Sequence, residues 1–482
     1  MSVFVPIIRE IPCPSSALDA FSAIACRPGS VLLESSSRDP RLGRFSFLAC
    51  DPFLTFRSKG SRAEISRAGG VEVREGSPFD LLADLLRAFR VERPPGAPPL
   101  LAGAIGYFGY DLGRFVERVP DQTVDDVPMA DCHLGFYGSV VTIDHTAQRA
   151  WASAIGAPET DPEVRTRLAE QRADDLAQAI ASCLPGHSPA SAGALASEPL
   201  RLTSNFRRRD YIEAIRRAKE YIAAGDIYQV NLSQRLSAPL VTNPLDLYRR
   251  LSRSNPSPFA AYFDTPDGAV VSCSPERFLE LRGREVETRP IKGTRPRGES
   301  PEEDARLAAE LQASAKDRAE NVMIVDLERN DIGRVCEFGS VHVPELFALE
   351  SYATVHHLVS TVRGRLRPDC DALDCLRACF PGGSITGAPK VRSMEIIEEL
   401  ESTRRGVYTG AIGYLCFSGD MDVNIVIRTA VVQDGVAHFQ VGGGIVADSD
   451  PEAEYQETVD KGRAIADALA AEAGAGGVAW PG

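Results

Sequence analysis

The sequence predicts an α+β fold with antiparallel strand pairing, and three observations carry that prediction. Short apolar runs bounded by turn residues recur along the chain, and the longer helical tracts stand between groups of such runs rather than alternating with single ones. Gly419-Asp420 and Asp434-Gly435 sit between alternating apolar residues, a hairpin signal that joins antiparallel neighbours. No βαβ rhythm occurs, so a doubly wound parallel sheet is not expected.

Taken in order, SVLLES, RFSFLACDPFLTFRS, LAGAIGYFGYDL and GSVVTIDH read as strands, and PEVRTRLAEQRADDLAQAIASCL reads as a helix. These make residues 1–183 an N-terminal α+β region. LPGHSPASAGALASEPL (184–200) is rich in Pro, Ala, Ser and Gly, which marks a linker or surface loop. In DYIEAIRRAKEYIAAGD, Tyr211, Ile212, Ile215, Ala218, Tyr221 and Ile222 share one helical face, and Gly225 supplies the stop. Residues 259–291 give four short strands and 406–446 give more. Two helical tracts lie between them, PEEDARLAAELQASAKDRAENVMIVDLE and APKVRSMEIIEELES, and PEAEYQETVDKGRAIADALAAEA closes the pattern before a flexible tail, 473–482. GAIGY occurs at 103–107 and again at 410–414, and SFLACDPFLTFRSKG (46–60) faintly matches VSCSPERFLELRGR (271–284), an echo that suggests a duplicated sheet.

Composition narrows the function classes. The 482 residues carry 53 Lys plus Arg against 67 Asp plus Glu, a net charge of −14, with 44% hydrophobic residues, as in an ordinary globular protein. No segment offers the concentrated basic face that nucleic acid requires. No apolar run reaches the roughly 20 residues that span a bilayer, and no signal-peptide pattern opens the chain, so a cytoplasmic location is expected. The eleven cysteines are scattered. Cys370, Cys375 and Cys379 cluster, but Cys375 and Cys379 have helical spacing, which favours core packing over metal binding.

Four C-terminal segments combine charge with glycine. In SPERFLELRGREVETRPIKGTRPRG, Lys292 precedes Gly293-Thr294, so it is either a solvated strand-end lysine or, if desolvated, a nucleophile. Glu276 stands for a general acid or for an Arg-paired surface carboxylate. In KDRAENVMIVDLERNDIGRV, Glu320 suits metal binding or a helix N-terminus, and Asn330-Asp331 reads as a turn. FPGGSITGAPKVRSMEIIEELE is a glycine-rich loop entering a helix, able to bind anions through backbone N–H groups, without the Walker order. In the fourth segment Arg428 falls in a strand, Gly442-Gly443-Gly444 offers backbone only, and Glu454 and Glu457 share a helix face with Lys461. Cationic groups for small carboxylates would thus meet carboxylates for Mg²⁺, which takes few protein ligands and fills its shell with water and substrate oxygens.

PIKGTRPRG, AENVMIVDLERNDIGRV, FPGGSITGAPK, YTGAIGY and VGGGIVADSDPEAEYQET, in this order, resemble the chorismate-utilising enzymes, and LLESSSRDPRLGRFSFLACDP resembles the amino-terminal region of their amine-forming members. The resemblance implies a catalytic region over 201–472 and two antiparallel sheets packed as a sandwich and surrounded by helices. Lysine in PIKGT, and NPSPFAAYF at 255–263, are similar to the branch that forms 4-amino-4-deoxychorismate for 4-aminobenzoate and folate; the anthranilate-forming branch typically has alanine at the lysine position. Gln229 stands where water-using relatives carry a lysine, which implies ammonia as the nucleophile.

The resemblance further implies Lys292 as covalent nucleophile, Glu276 as general acid and His357 near the leaving hydroxyl. Glu320 and Glu457, with Glu454 beside them, would hold Mg²⁺. Gln229, Thr386, Tyr408, Arg428, Lys461 and the amides of Gly442, Gly443 and Gly444 would line the substrate site. Glu34, Ser35 and Ser36 match a segment that binds tryptophan in relatives. The sequence contains no glutamine-amidotransferase nucleophile pattern, so ammonia is expected from a separate amidotransferase subunit. Anthranilate formation with loss of pyruvate is the nearer alternative, and a non-catalytic chorismate-binding regulatory subunit the remoter one.

Overall fold

A computed structural model describes residues 3–37, 41–182, 198–352 and 355–481; most of the expected linker, 184–200, lies outside the described residues. Twenty strands form the frame. The N-terminal ten are β1 (Ile7–Ile11), β2 (Val31–Glu34), β3 (Phe45–Ala49), β4 (Leu54–Lys59), β5 (Arg62–Arg67), β6 (Gly70–Glu75), β7 (Gly103–Phe108), β8 (Cys132–Tyr137), β9 (Ser139–Asp144) and β10 (Arg149–Ala154). The C-terminal ten are β11 (Gln229–Pro239), β12 (Phe259–Thr265), β13 (Gly268–Ser274), β14 (Arg277–Arg282), β15 (Glu285–Thr288), β16 (Val355–Arg365), β17 (Ala411–Cys416), β18 (Met421–Ile425), β19 (Thr429–Gln433) and β20 (Val436–Ile445).

These strands form two antiparallel sheets. One runs β1-β10-β9-β3-β2-β12-β13-β19-β20-β11, and the other runs β16-β15-β14-β18-β17-β7-β8-β4-β5-β6. Each order is symmetric about its centre: every N-terminal strand is mirrored by the strand numbered ten higher. The repeated GAIGY supplies the central pair of the second sheet, β7 against β17, with Gly106 opposite Gly413. The faint second echo falls on β4 and β14. A Cβ on Gly413 would lie 2.0 Å from the Asp422 carbonyl oxygen and one on Gly106 2.0 Å from that of His133, so at both places the backbones meet too closely for any side chain.

The sheets pack face to face through Val31, Phe47, Tyr107, Tyr137, Phe263, Val270, Ile412 and Tyr414, drawn from both sheets and both halves. Helices cover the outer faces. The first sheet carries α1 (Ala17–Ser22), α3 (Pro162–Ala181), α5 (Pro244–Ser254) and α10 (Pro451–Glu472). The second carries α2 (Pro78–Arg87), α7 (Ala315–Gly333) and α8 (Ala372–Cys379). A further cluster joins α4 (Arg208–Ala224) and α9 (Lys390–Leu400) to β11. The α+β sandwich with surrounding helices is therefore as the sequence and its resemblance led one to expect, and each sheet joins five strands of the N-terminal region side by side with five of the C-terminal region. Among the described residues no helix is long and apolar enough to cross a membrane.

Three local expectations are corrected. The tract beginning at Pro301 is two helices, α6 (Pro301–Ala313) and α7, because Ser314 ends one in extended conformation and caps the other through its side chain on the Asp317 amide. Asn330-Asp331 is not a turn but part of α7; buried Asp331 meets Lys390 Nζ at 2.6 Å. Arg428 stands in the connection between β18 and β19, at φ 53°, because the chain must turn there between the two sheets.

Candidate active site

Each segment singled out in the sequence contributes to one cavity of about 880 Å³. Its wall includes Glu276 at the entry to β14, Lys292 on the strand Ile291–Pro296, His357 on β16, Arg428, and Gly442 and Gly444 on β20. Glu320 comes from α7, and Glu454, Glu457 and Lys461 come from α10, where spacings of three and four residues put them on one face. Tyr408 lies at its inner end.

Ser384 links the two groups with the clearest chemical potential. Its carbonyl accepts from Lys292 Nζ at 3.2 Å, and its hydroxyl donates to Glu276, which also accepts from the Ile291 amide. Burial lowers the Lys292 pKa, and the nearby Lys461 charge adds to this while Glu276 opposes it. Burial raises the Glu276 pKa against the pull of Lys292. The two shifts draw the lysine and the carboxylate closer together in proton affinity. His357 hydrogen-bonds Thr294 Oγ1 through Nδ1 at 2.9 Å, and burial depresses its pKa to about 4, so it is neutral at pH 7.

The cavity also has a cationic side. Arg428 is held in the left-handed region, which costs an arginine backbone energy and marks an over-determined position. It has no ion pair among the described residues. Lys461 Nζ donates to the Gly442 carbonyl at 2.9 Å and meets Glu457 at 2.7 Å.

Three carboxylates face this edge. A Cβ on Gly443 would lie 3.3 Å from Glu454 Oε2 and 3.7 Å from Glu457 Oε1, so the bare glycine leaves space beside both. Burial raises the Glu454 pKa, Glu457 adds to it, and Glu320 is likewise raised by burial. For Glu457 burial is outweighed by Lys461, Lys316 and Lys292, which hold it low. Among the described residues no three His, Cys, Asp or Glu side chains close a metal cage by themselves. The set fits a hard divalent cation that binds through few carboxylates and completes its shell with water and a substrate carboxylate.

Some expected site residues lie off the cavity wall. Thr386 is fully buried and its hydroxyl is used on the Gly382 carbonyl at 2.9 Å. Gln229 is fully buried behind Gly444, and Gly443 faces α10. Among the wall residues that escaped the sequence reading, two matter most here. Ser384 acts through its carbonyl as well as its hydroxyl, and a main-chain role carries no residue signature. Asn231 follows Gln229 by two on β11, and strand alternation could have put it on the same face. A second cavity, about 480 Å³, is lined by Glu34 and Ser35, the rings of Phe45, Phe47 and Tyr414, and Arg277. Ser36 is not on its wall and instead bridges to the Ser257 backbone.

The two-sheet sandwich thus brings a lysine, a paired acid, a cationic edge and a carboxylate cluster to one cavity. The chain belongs to the chorismate binding enzyme family, whose model matches residues 36–467. It is 42% identical to aminodeoxychorismate synthase component 1 of Salmonella typhimurium, over 96% of this chain and 98% of that protein. It is 45% identical to anthranilate synthase component 1 of Thermus thermophilus, over 93% of this chain and 94% of that protein. Among solved structures, anthranilate synthase component I of Streptococcus pneumoniae superposes with a TM-score of 0.76 at 34% identity, covering 89% of this chain and 93% of that one.

Proposed function

We propose that this chorismate-utilising enzyme aminates chorismate with ammonia to 4-amino-4-deoxychorismate. The observation that carries the proposal is Lys292, a desolvated amine inside the cavity, held by the Ser384 carbonyl while the Ser384 hydroxyl holds Glu276 nearby. Proton transfer from Lys292 to Glu276 makes a nucleophile and an acid in one step. Lys292 Nζ adds to the ring, Glu276 delivers its proton to the departing hydroxyl, and water leaves. Because the lysine has added conjugately, ammonia then adds at C4, the carbon the hydroxyl left; the ring double bonds shift back and expel the lysine, and the displaced amine is restored with the proton ammonia gives up. Arg428, Lys461 and the glycine amides orient the substrate carboxylates, and neutral His357 packs near the leaving hydroxyl.

Glu320, Glu454 and Glu457 would hold Mg²⁺, which supplies charge neutralisation for a substrate carboxylate. The partner is a glutamine amidotransferase that delivers ammonia; the designation of the relatives as component 1 supports a second component. The second cavity, with aromatic rings, carboxylates and arginines together, suits a free aromatic amino acid such as tryptophan. The cytoplasm is the compartment that suits such a biosynthetic enzyme.

Anthranilate formation is the second reading, favoured by the 45% identity to the Thermus thermophilus protein. Incubation with chorismate, Mg²⁺ and ammonium separates them. Amination at C4 predicts a product that becomes 4-aminobenzoate only after an added lyase, whereas direct release of fluorescent anthranilate would overturn it.

A further inference from the structure

Two buried carboxamides, Asn231 on the cavity wall and Gln229 behind it, have polar atoms without a partner among the described residues. Asn231 and Gln229 are two apart on β11 and so face the same side. Asn231 is 8% exposed and Gln229 fully buried. Asn231 Oδ1, Gln229 Oε1 and Gln229 Nε2 all lack a hydrogen-bond partner. Unmade hydrogen bonds at buried carboxamides are unfavourable, and two carbonyl oxygens and one amide nitrogen on one face of a strand point to a small ligand.

The orientation of Asn231 is fixed by its neighbour. Its Nδ2 lies 3.5 Å from the Ser384 carbonyl, and an oxygen acceptor can face only the N–H end of a carboxamide. Oδ1 is therefore left as a free acceptor. The main chain of Asn231 is already committed, its N–H to Thr386 and its carbonyl to Arg405. Asn231 pairs with Gly444, and a Cβ on Gly444 would come within 2.7 Å of Gln229 Nε2, so only glycine allows Gln229 this position beside the wall. The same Ser384 oxygen accepts from Lys292 Nζ at 3.2 Å, which places the Asn231 carboxamide next to the lysine.

We infer that Asn231, with Gln229 as a second acceptor, forms a subsite for the incoming ammonia. The inference rests on the amination proposed above. Ammonia has three N–H bonds to donate and a lone pair that must stay free for attack, which suits a site offering carbonyl oxygens beside the point of attack. The carboxylates of chorismate cannot donate to these atoms, and its ring hydroxyl is expected at Glu276.

The test is steady-state kinetics at fixed pH with saturating Mg²⁺, varying ammonium and chorismate separately. Asn231→Ala should raise the KM for ammonium about tenfold or more, as loss of one hydrogen bond predicts, while the chorismate KM stays within about twofold. Gln229→Met, which replaces unpaired polar atoms with an apolar chain of similar length, should keep its melting temperature and shift the ammonium KM in the same direction by less. It carries the test if Asn231→Ala does not fold. Unchanged ammonium KM in the folded variants would mean that the carboxamides hold only water, and a parallel rise in both KM values would assign them to chorismate; either result overturns the subsite. A wild-type chain with no ammonium-dependent product would instead overturn the amination itself.

Discussion

At matching points of the two halves the chain reads Cys50-Asp51-Pro52-Phe53 leading into β4 and Cys273-Ser274-Pro275-Glu276-Arg277-Phe278 running into β14. The C-terminal copy is two residues longer, and one of the two is the carboxylate facing Lys292. The closing helices repeat the lesson. Both α3 and α10 begin with a capping Asp followed by Pro-Glu, at Asp161 and Asp450. In α10 the succeeding positions hold Glu454, Glu457 and Lys461; their counterparts in α3 are Arg165, Leu168 and Arg172. Lys461 donates to the Gly442 carbonyl at the cavity, whereas Arg172 donates to the carbonyls of Ile155 and Ala157 and ties its helix to the sheet. Between β15 and β16 the C-terminal half also inserts the strand of Lys292, α6 and α7, for which the N-terminal half has nothing but the β5–β6 turn. One strand order thus serves as structure in one half and carries the candidate active site in the other, through insertions and a few substitutions.

This contrast can be broken by mutation. Lys292→Ala should abolish most ammonia-dependent product while leaving the melting temperature near that of the wild type; retained activity would remove the covalent role. Glu276→Gln should slow turnover about 10²–10⁴-fold, the usual contribution of a general acid. Its pH profile should change as well. Raised by burial, Glu276 stays protonated above the usual carboxylate range, so wild-type activity is present below its pKa and lost as pH rises through it. That alkaline limb should vanish in Glu276→Gln. The acid limb should remain, because lowered Lys292 loses nucleophilicity as pH falls through its own pKa. Glu457→Ala should shift the Mg²⁺ titration of the rate to higher concentration, and an unmoved titration would take Glu457 out of the metal site. In the N-terminal half, Arg172→Ala should lower stability by about 1–3 kcal/mol, the cost of buried carbonyls left unpaired, with rate and Mg²⁺ titration unchanged. Chemical denaturation beside the kinetics checks both.

The sequence made the antiparallel α+β class legible because hairpins are local: Gly419-Asp420 and Asp434-Gly435 each join neighbouring strands. The duplication was visible only as GAIGY and the faint match of 46–60 with 271–284, since a frame of this kind constrains burial and close approach more than residue identity. Pairing of β2 with β12, or β7 with β17, is non-local and leaves no sequence spacing to read. In the site, charged residues set beside glycines stood out, and Lys292, Glu276, Glu320, Arg428, Glu457 and Lys461 do share one cavity. Contributions made by backbone atoms, or by neutral amides such as Asn231, did not stand out, because only the fold reveals which of them lack partners.

The most direct test of the proposal that the C-terminal insertions install a nucleophile is mass spectrometry of the protein held with chorismate and Mg²⁺ in the absence of ammonium. A covalent chorismate-derived adduct mapping to the peptide that contains Lys292, and disappearing when ammonium is added, is the predicted result. An unmodified Lys292 under conditions where ammonium supports full turnover would contradict it.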